Sequence, residues 1–184
     1  MVILGVDPGL NATGYGIIET LPTQRLRLIA AGDIRPPNTS PLSERLGVIH
    51  DALSQLISRY RAETVVLETL FTHHRHVTTA ALMAHARGVA CLTAQEHRVP
   101  LAEYPPTRVK KSLTGHGHAS KEQVARMVGR WLHGTDPSWS ADATDALALA
   151  IIHAHTERQR RNLKKCQTLP APWEVSDTFS EVGG

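Results

Sequence analysis

The sequence predicts a layered α/β domain built on a mixed sheet, and three observations carry that expectation. Two short apolar runs, Val2-Ile3-Leu4-Gly5-Val6 and Thr64-Val65-Val66-Leu67, show no polar alternation and read as strands buried on both faces. Between them, Leu42, Leu46, Ile49, Leu53, Leu56 and Tyr60 recur at helical spacing. The resulting order, three strands and then alternating helices and strands, is that of a sheet covered by helices.

Taken in order, Asp7-Pro8-Gly9 ends the first strand. Thr13-Gly14-Tyr15-Gly16-Ile17-Ile18 and Arg25-Leu26-Arg27-Leu28-Ile29-Ala30 follow, joined by a turn around Leu21-Pro22-Thr23, so an antiparallel meander is expected. Pro36, Pro37 and Asn38 mark a loop, after which Ser40 is expected to cap the first helix with Pro41 at its first position. Glu68 ends the fourth strand. Beyond a histidine-rich loop, residues 78–95 read as a helix of small residues. Its interior Gly88 points to close approach by another backbone, and Cys91 reads as a core residue. Residues 99–104 form a fifth strand, stopped by Pro105-Pro106. A short basic helix around Arg108 leads to Gly115-His116-Gly117-His118, and Ser120 caps a helix reaching Trp131. Ser140 caps a last helix expected to end near His155, and the basic residues from Glu157, followed by Pro170 and Pro172, read as a flexible tail. The expected division is therefore one domain over 1–156 and a basic, then acidic, C-terminal tail over 157–184.

Composition narrows the class. A chain of 184 residues, 41% hydrophobic, 20% charged and 4% aromatic, fits one soluble globular domain and excludes wholesale disorder, collagen and a disulfide-stapled miniprotein. The longest uninterrupted apolar stretch, residues 146–152, is far short of the ~20 residues that span a bilayer. MVILGVD has no basic leader, and Cys91 and Cys166 lie far apart without a C-x-x-C pattern, so a reducing cytoplasm is expected. The net charge of +3 is unevenly placed: residues 1–103 hold nine basic and nine acidic side chains, whereas 104–130 hold six basic ones against Glu122 alone. That concentration suits a polyanionic partner and, equally, a solvated helix face.

Four carboxylates stand out by position. Asp7 and Glu68 end buried strands, where ligand sites of α/β sheets form. Asp142 and Asp145 share one face of the last helix, a face that continues through Leu149 and Ile152 toward the core. Singly, each has a structural reading: a helix-dipole partner, a turn residue, a solvated strand end. Together at ~5 Å, they would repel by ~3 kcal/mol per pair at an effective dielectric of about 20. A fold keeps such strain when hard cations neutralise it, and an all-oxygen donor set suits Mg²⁺ or Mn²⁺ in a two-metal phosphodiester mechanism.

The segments ILGVDPGLNATGYGII, VVLETLF, HARGVA, VKKSLTGHGHASKEQV and ADATDALALAIIHAH resemble, in order and without large insertion, the RuvC family of Holliday-junction resolvases. The resemblance runs from residue 1 to about 156. It implies a ribonuclease H-like fold, a five-stranded mixed sheet flanked by helices. The implied function is that of a homodimeric endonuclease that nicks two opposing strands of a four-way DNA junction, in recombination and repair, leaving 3′-hydroxyl and 5′-phosphate ends. It also implies two divalent cations per subunit, Mg²⁺ or Mn²⁺, and a RuvA–RuvB branch-migration partner. Carried over by position, Asp7, Glu68, Asp142 and Asp145 fall on the family's metal-binding carboxylates. Phe71 falls on its junction-opening aromatic, and Lys110 and Lys121 on its lysines near the DNA backbone. The chain departs from the pattern in having Thr69 after the glutamate, in the histidines 73, 74 and 76, and in everything from Glu157 onward.

Read for themselves, Phe71 sits in a loop without apolar periodicity, where an aromatic can stack on an unpaired base, and Arg75 beside it is a phosphate contact or a solvated loop residue. Lys121 begins a helix whose free N–H groups also favour phosphate. His116 and His118 have the spacing of a metal pair without a third ligand and read as a flexible glycine-flanked loop. Two other classes compete with the nuclease. One is an actin–sugar-kinase type phosphotransferase or ATPase, in which Asp7-Pro8-Gly9 and the Gly14 hairpin cradle phosphate; that class needs two such domains. The other is a non-catalytic junction-binding protein whose carboxylates are helix caps.

Overall fold

The computed structural model describes residues 1–69, 77–133 and 139–167. It contains the expected meander, β1 (Val2–Asp7), β2 (Thr13–Thr20) and β3 (Leu26–Ile34), followed by α1 (Leu42–Tyr60), β4 (Thr64–Glu68), α2 (Val77–Glu96), β5 (Leu101–Tyr104), α3 (Pro106–Thr114), α4 (Lys121–Trp131) and α5 (Ala141–Gln167). The sheet has five strands in the order β3-β2-β1-β4-β5. β1 pairs antiparallel with β2 and parallel with β4, which makes the sheet mixed. The apolar runs of β1 and β4 lie at its centre, where both faces are covered.

Each face has its own core. α1 and α2 bury Ile49, Leu53, Ile57, Ala86 and Ala90 against Leu4, Val6, Ile17 and Leu67. On the other face α3, α4 and α5 bury Val109, Val124, Val128, Leu147 and Ile151 against Ile3, Ile18 and Val66. The result is a helix–sheet–helix sandwich.

Four local expectations change. Pro41, not Ser40, is the cap of α1: its ψ of 154° is extended, and no side chain caps the helix. The first helical bond runs from the Arg45 N–H to the Pro41 carbonyl. β5 begins at Leu101 rather than 99, because the Val99 N–H is committed to the Ala94 carbonyl and Pro100 has none to offer. Gly88 makes no such approach among the described residues, where a Cβ at that position would have nothing within 4 Å. α5 continues twelve residues past His155, to Gln167, since residues 156–167 contain no Gly or Pro and are rich in strong helix formers. Cys91 is half-buried and packs at the margin of the α1–α2 core. Among the described residues, no helix is long and apolar enough to cross a membrane.

Candidate active site

The site is assembled by the close approach of α5 to the β1–β2 hairpin. Gly14 pairs with Asp7 across the two strands. A Cβ at Gly14 would stand 2.2 Å from the Asp142 carbonyl, and one at Gly5 2.0 Å from that of Ala146. Only hydrogen at these positions lets the first turns of α5 lie on the sheet. Ser140 caps the helix as expected, accepting the Ala143 N–H at 2.9 Å, while its hydroxyl donates to Asp33 of β3 at 2.5 Å. Asp142 in the first turn, and Asp145 three residues on, are thereby held over the end of β1.

The segment after β1 is fixed from two sides. Thr13 is fully buried and donates its hydroxyl to the Gly9 carbonyl at 2.7 Å. Arg45 of α1 donates to the Leu10 carbonyl and the Asn11 side chain at 2.9 and 2.8 Å. The end of β4 is held by Arg87 of α2, which donates to the Glu68 carbonyl at 2.8 Å and pairs with Glu103 of β5.

The four carboxylates feel one another. Burial raises the Asp7 carboxyl from its ordinary range to about 7, with Asp145, Glu68 and Asp142, in that order, adding repulsion and Lys121 opposing. Glu68 is raised as well, first by burial and then by Asp145, with Lys110 and Lys121 pulling the other way. A cleft of ≈ 310 Å³ opens here, with Asp7, Glu68, Asp145, Lys110 and Lys121 as its charged walls; Asp142 lies beside it rather than on its wall. The Lys121 ammonium donates to Asp145 at 3.0 Å. The bond to Asp145 is the main reason its own pKa is raised.

Among the described residues, no three carboxylate, imidazole or thiol groups stand together as a ready cage for an ion. The donor set nonetheless fits hard divalent cations. It is all oxygen and partly desolvated, and a cation already sits against it in the form of the Lys121 ammonium.

Of the residues singled out by sequence, the structure thus gathers Asp7, Glu68, Asp142, Asp145, Lys110 and Lys121. Phe71 and Arg75, with the loop histidines, lie outside the described residues. Arg87 and Asp33 are supports that the sequence does not point to, and so is the second bond of the Ser140 cap. The one signal for Arg87 is its place inside the HARGVA segment, as the one charge in an otherwise small-residue stretch. The Ser140–Asp33 bond spans 107 residues, and no local pattern announces it.

The family model described as "Crossover junction endodeoxyribonuclease RuvC" matches residues 3–153. The crossover junction endodeoxyribonuclease RuvC of Alkaliphilus oremlandii is 44% identical over 156 residues, which are 85% of this chain and 94% of that protein. Its counterpart in Halorhodospira halophila is 46% identical over 154 residues, 83% of this chain and 89% of that one. Thermus thermophilus RuvC, solved in complex with a Holliday junction substrate, superposes with a TM-score of 0.80 at 34% identity, covering 86% of this chain and 96% of that chain. The fold is the ribonuclease H-like one.

Proposed function

Because the chain belongs to the RuvC family of crossover junction endodeoxyribonucleases, an endonuclease family that resolves four-way DNA junctions, we propose that Asp7, Glu68, Asp142 and Asp145 are its catalytic centre. Family membership sets aside the phosphotransferase and non-catalytic readings, and it carries a general dependence on divalent metal. The finer reading is two ions per subunit, Mg²⁺ or Mn²⁺, held by these four carboxylates. When bound, such ions activate water for attack on the scissile phosphate and offset charge on the attacking and leaving oxygens, leaving 3′-hydroxyl and 5′-phosphate ends.

The protein's own groups have separable tasks. Asp7 is the hub, since Asp145, Glu68 and Asp142 all raise it, and it would be a ligand central to the set. Glu68 closes the site from β4, and Asp142 and Asp145 close it from α5. Lys110 and Lys121 line the same cleft as the carboxylates and would meet phosphates of the DNA backbone beside the cut. Phe71 follows Glu68 by three residues and would wedge against an unpaired base at the crossover, with Arg75 on a nearby phosphate. Paired symmetric nicks require two such sites, hence a homodimer. RuvA–RuvB is the further partner and the cytoplasm the compartment. Residues 1–156 form the nuclease domain in this reading, and 157–184 its appendage.

The observation that carries the reading is the cleft whose charged walls are Asp7, Glu68, Asp145, Lys110 and Lys121, with the Lys121 ammonium on Asp145. Gel-resolved cleavage of a labelled four-way junction, beside linear duplex and RNA–DNA hybrid, with Mg²⁺, Mn²⁺ or EDTA, tests it. Symmetric metal-dependent nicks in the junction alone, abolished by Asp7→Asn, are expected. Full cleavage by Asp7→Asn would overturn the assignment of the centre.

A further inference from the structure

Lys121 stands in an unusual relation to the carboxylates. Its backbone is pinned as the first residue of α4 by a capping box, in which Ser120 and Gln123 exchange side-chain and backbone bonds. Its side chain, by contrast, is 70% exposed and ends on Asp145 at 3.0 Å. The anchor is fixed and the long stem is free to swing, with one carboxylate as the hydrogen-bond partner of its ammonium among the described residues. Asp145, the group that it holds, is the largest charge contribution to the raised pKa values of both Asp7 and Glu68, so it is a central member of the cluster.

The charges make the ammonium and a full metal complement alternatives. With all four carboxylates ionised, as an ion-filled site needs them, Lys110 and Lys121 offset two of the four negative charges. Two divalent cations neutralise the four carboxylates by themselves. Adding them while Lys121 stays on Asp145 leaves surplus positive charge in a partly desolvated cleft and takes a carboxylate oxygen away from the ions.

Resting on the metal centre assigned above, we propose that Lys121 is a built-in competitor for metal. In the metal-free protein its ammonium neutralises Asp145, a divalent cation displaces it, and the released ammonium turns to the substrate phosphate. The exchange couples metal binding to DNA binding: the arriving anion gives the expelled charge a partner, so each ligand promotes the other. Lys121 is in this sense a positioning residue for the ions as well as a phosphate contact.

Mn²⁺ binding to the DNA-free full chain, followed by electron paramagnetic resonance, tests the exchange with wild type, Lys121→Gln, Lys121→Arg and Asp7→Asn. Lys121→Gln is expected to bind Mn²⁺ about two- to fivefold more tightly than wild type, the scale of one partly exposed ion pair. Lys121→Arg, which keeps the competing charge, is expected to stay near wild type, and Asp7→Asn to lose the tight site. Equal or weaker Mn²⁺ binding by Lys121→Gln, with Asp7→Asn still defective, overturns the exchange and leaves the metal centre standing. Undiminished binding by Asp7→Asn overturns both. A second readout comes from ¹⁵N-labelled lysine side chains. Mg²⁺ is expected to move the Lys121 ammonium resonance toward that of a free lysine while the exposed Lys111 stays put. An unmoved Lys121 signal at saturating Mg²⁺ would refute displacement.

Discussion

The backbone of Gly14 touches the carbonyl of Asp142, with room between them for hydrogen but not for a methyl group, whose carbon would stand 2.2 Å away. This contact sets how deeply the first turn of α5 sits on the β1–β2 hairpin, and so how near Asp142 and Asp145 come to Asp7. Gly14→Ala is expected to push the helix outward. The obstacle is backbone on a capped helix, not a flexible side chain, so the cost should reach the upper part of the ~1–3 kcal/mol range for overpacking. Thermal unfolding measures that cost. Junction cleavage should fall by a larger factor than stability explains, because the carboxylates separate even in molecules that remain folded.

Ser140 is a smaller lever on the same helix. Its hydroxyl oxygen accepts the Ala143 N–H and its hydroxyl hydrogen goes to Asp33. Ser140→Ala removes both, for about 1 kcal/mol, or a Tm lower by roughly 2–4 °C in a protein of this size. Asp33 keeps its bond to Arg35, so it is not stranded. Ser140→Thr retains the cap and should keep a near-native Tm in differential scanning calorimetry.

Particular residues explain why the sequence was informative about some of this and silent about the rest. β1 and β4 were legible because strands covered on both faces must be apolar throughout, and Asp7 and Glu68 were conspicuous as the first charges after them. Asp142 and Asp145 were legible from their spacing on an otherwise apolar face. Tertiary supports were not. Arg87 serves the Glu68 carbonyl from 19 residues away, and a backbone acceptor has no sequence signature. Glycine misleads in one place and understates its role in another: an interior Gly88 suggests a close approach but meets nothing within 4 Å among the described residues, whereas Gly5 and Gly14 carry the approach that matters. The length of α5 was missed because its composition changes from apolar to basic at Glu157, where the helix leaves the sheet without ending.

Arg87 gives a prediction that separates positioning from stability. Its guanidinium is mostly buried, while its partner Glu103 is 41% exposed and would be rehydrated if the arginine were lost. Arg87→Met should therefore cost about 1–2 kcal/mol, well below the ~3–5 kcal/mol of breaking a fully buried pair. The Glu68 carbonyl loses its donor, and the chain leaving β4 loses its anchor. Single-turnover cleavage is expected to drop by more than tenfold. Arg87→Lys, which keeps the charge beside Glu103 but cannot hold both partners in a fork, should recover stability more than rate.

The Asp7 carboxyl makes the metal-free protein sensitive to pH in a direction opposite to that of a salt-bridged carboxylate. Its folded pKa of about 7 lies above the ordinary carboxyl value of 3.8, so between these values the folded state holds a proton that the unfolded chain releases. Stability from this group is full below about pH 4, declines as pH rises through the window, and levels off above 7. The whole span is worth at most about 4 kcal/mol. Glu68, also raised, adds to the slope in the same sense. His153 and His155, lowered chiefly by burial, oppose it where histidine titrates, by favouring the fold as pH rises. The difference between wild type and Asp7→Asn isolates the aspartate from these backgrounds. In EDTA, chemical denaturation should show Asp7→Asn the more stable by a margin that grows from pH 4 to pH 7 and then stays constant. Saturating Mg²⁺ should shrink or reverse that margin, since only the wild-type carboxylate gains from the ion. A mutant less stable than wild type in EDTA at pH 8 would mean that Asp7 is held by structural bonds rather than strained by its neighbours.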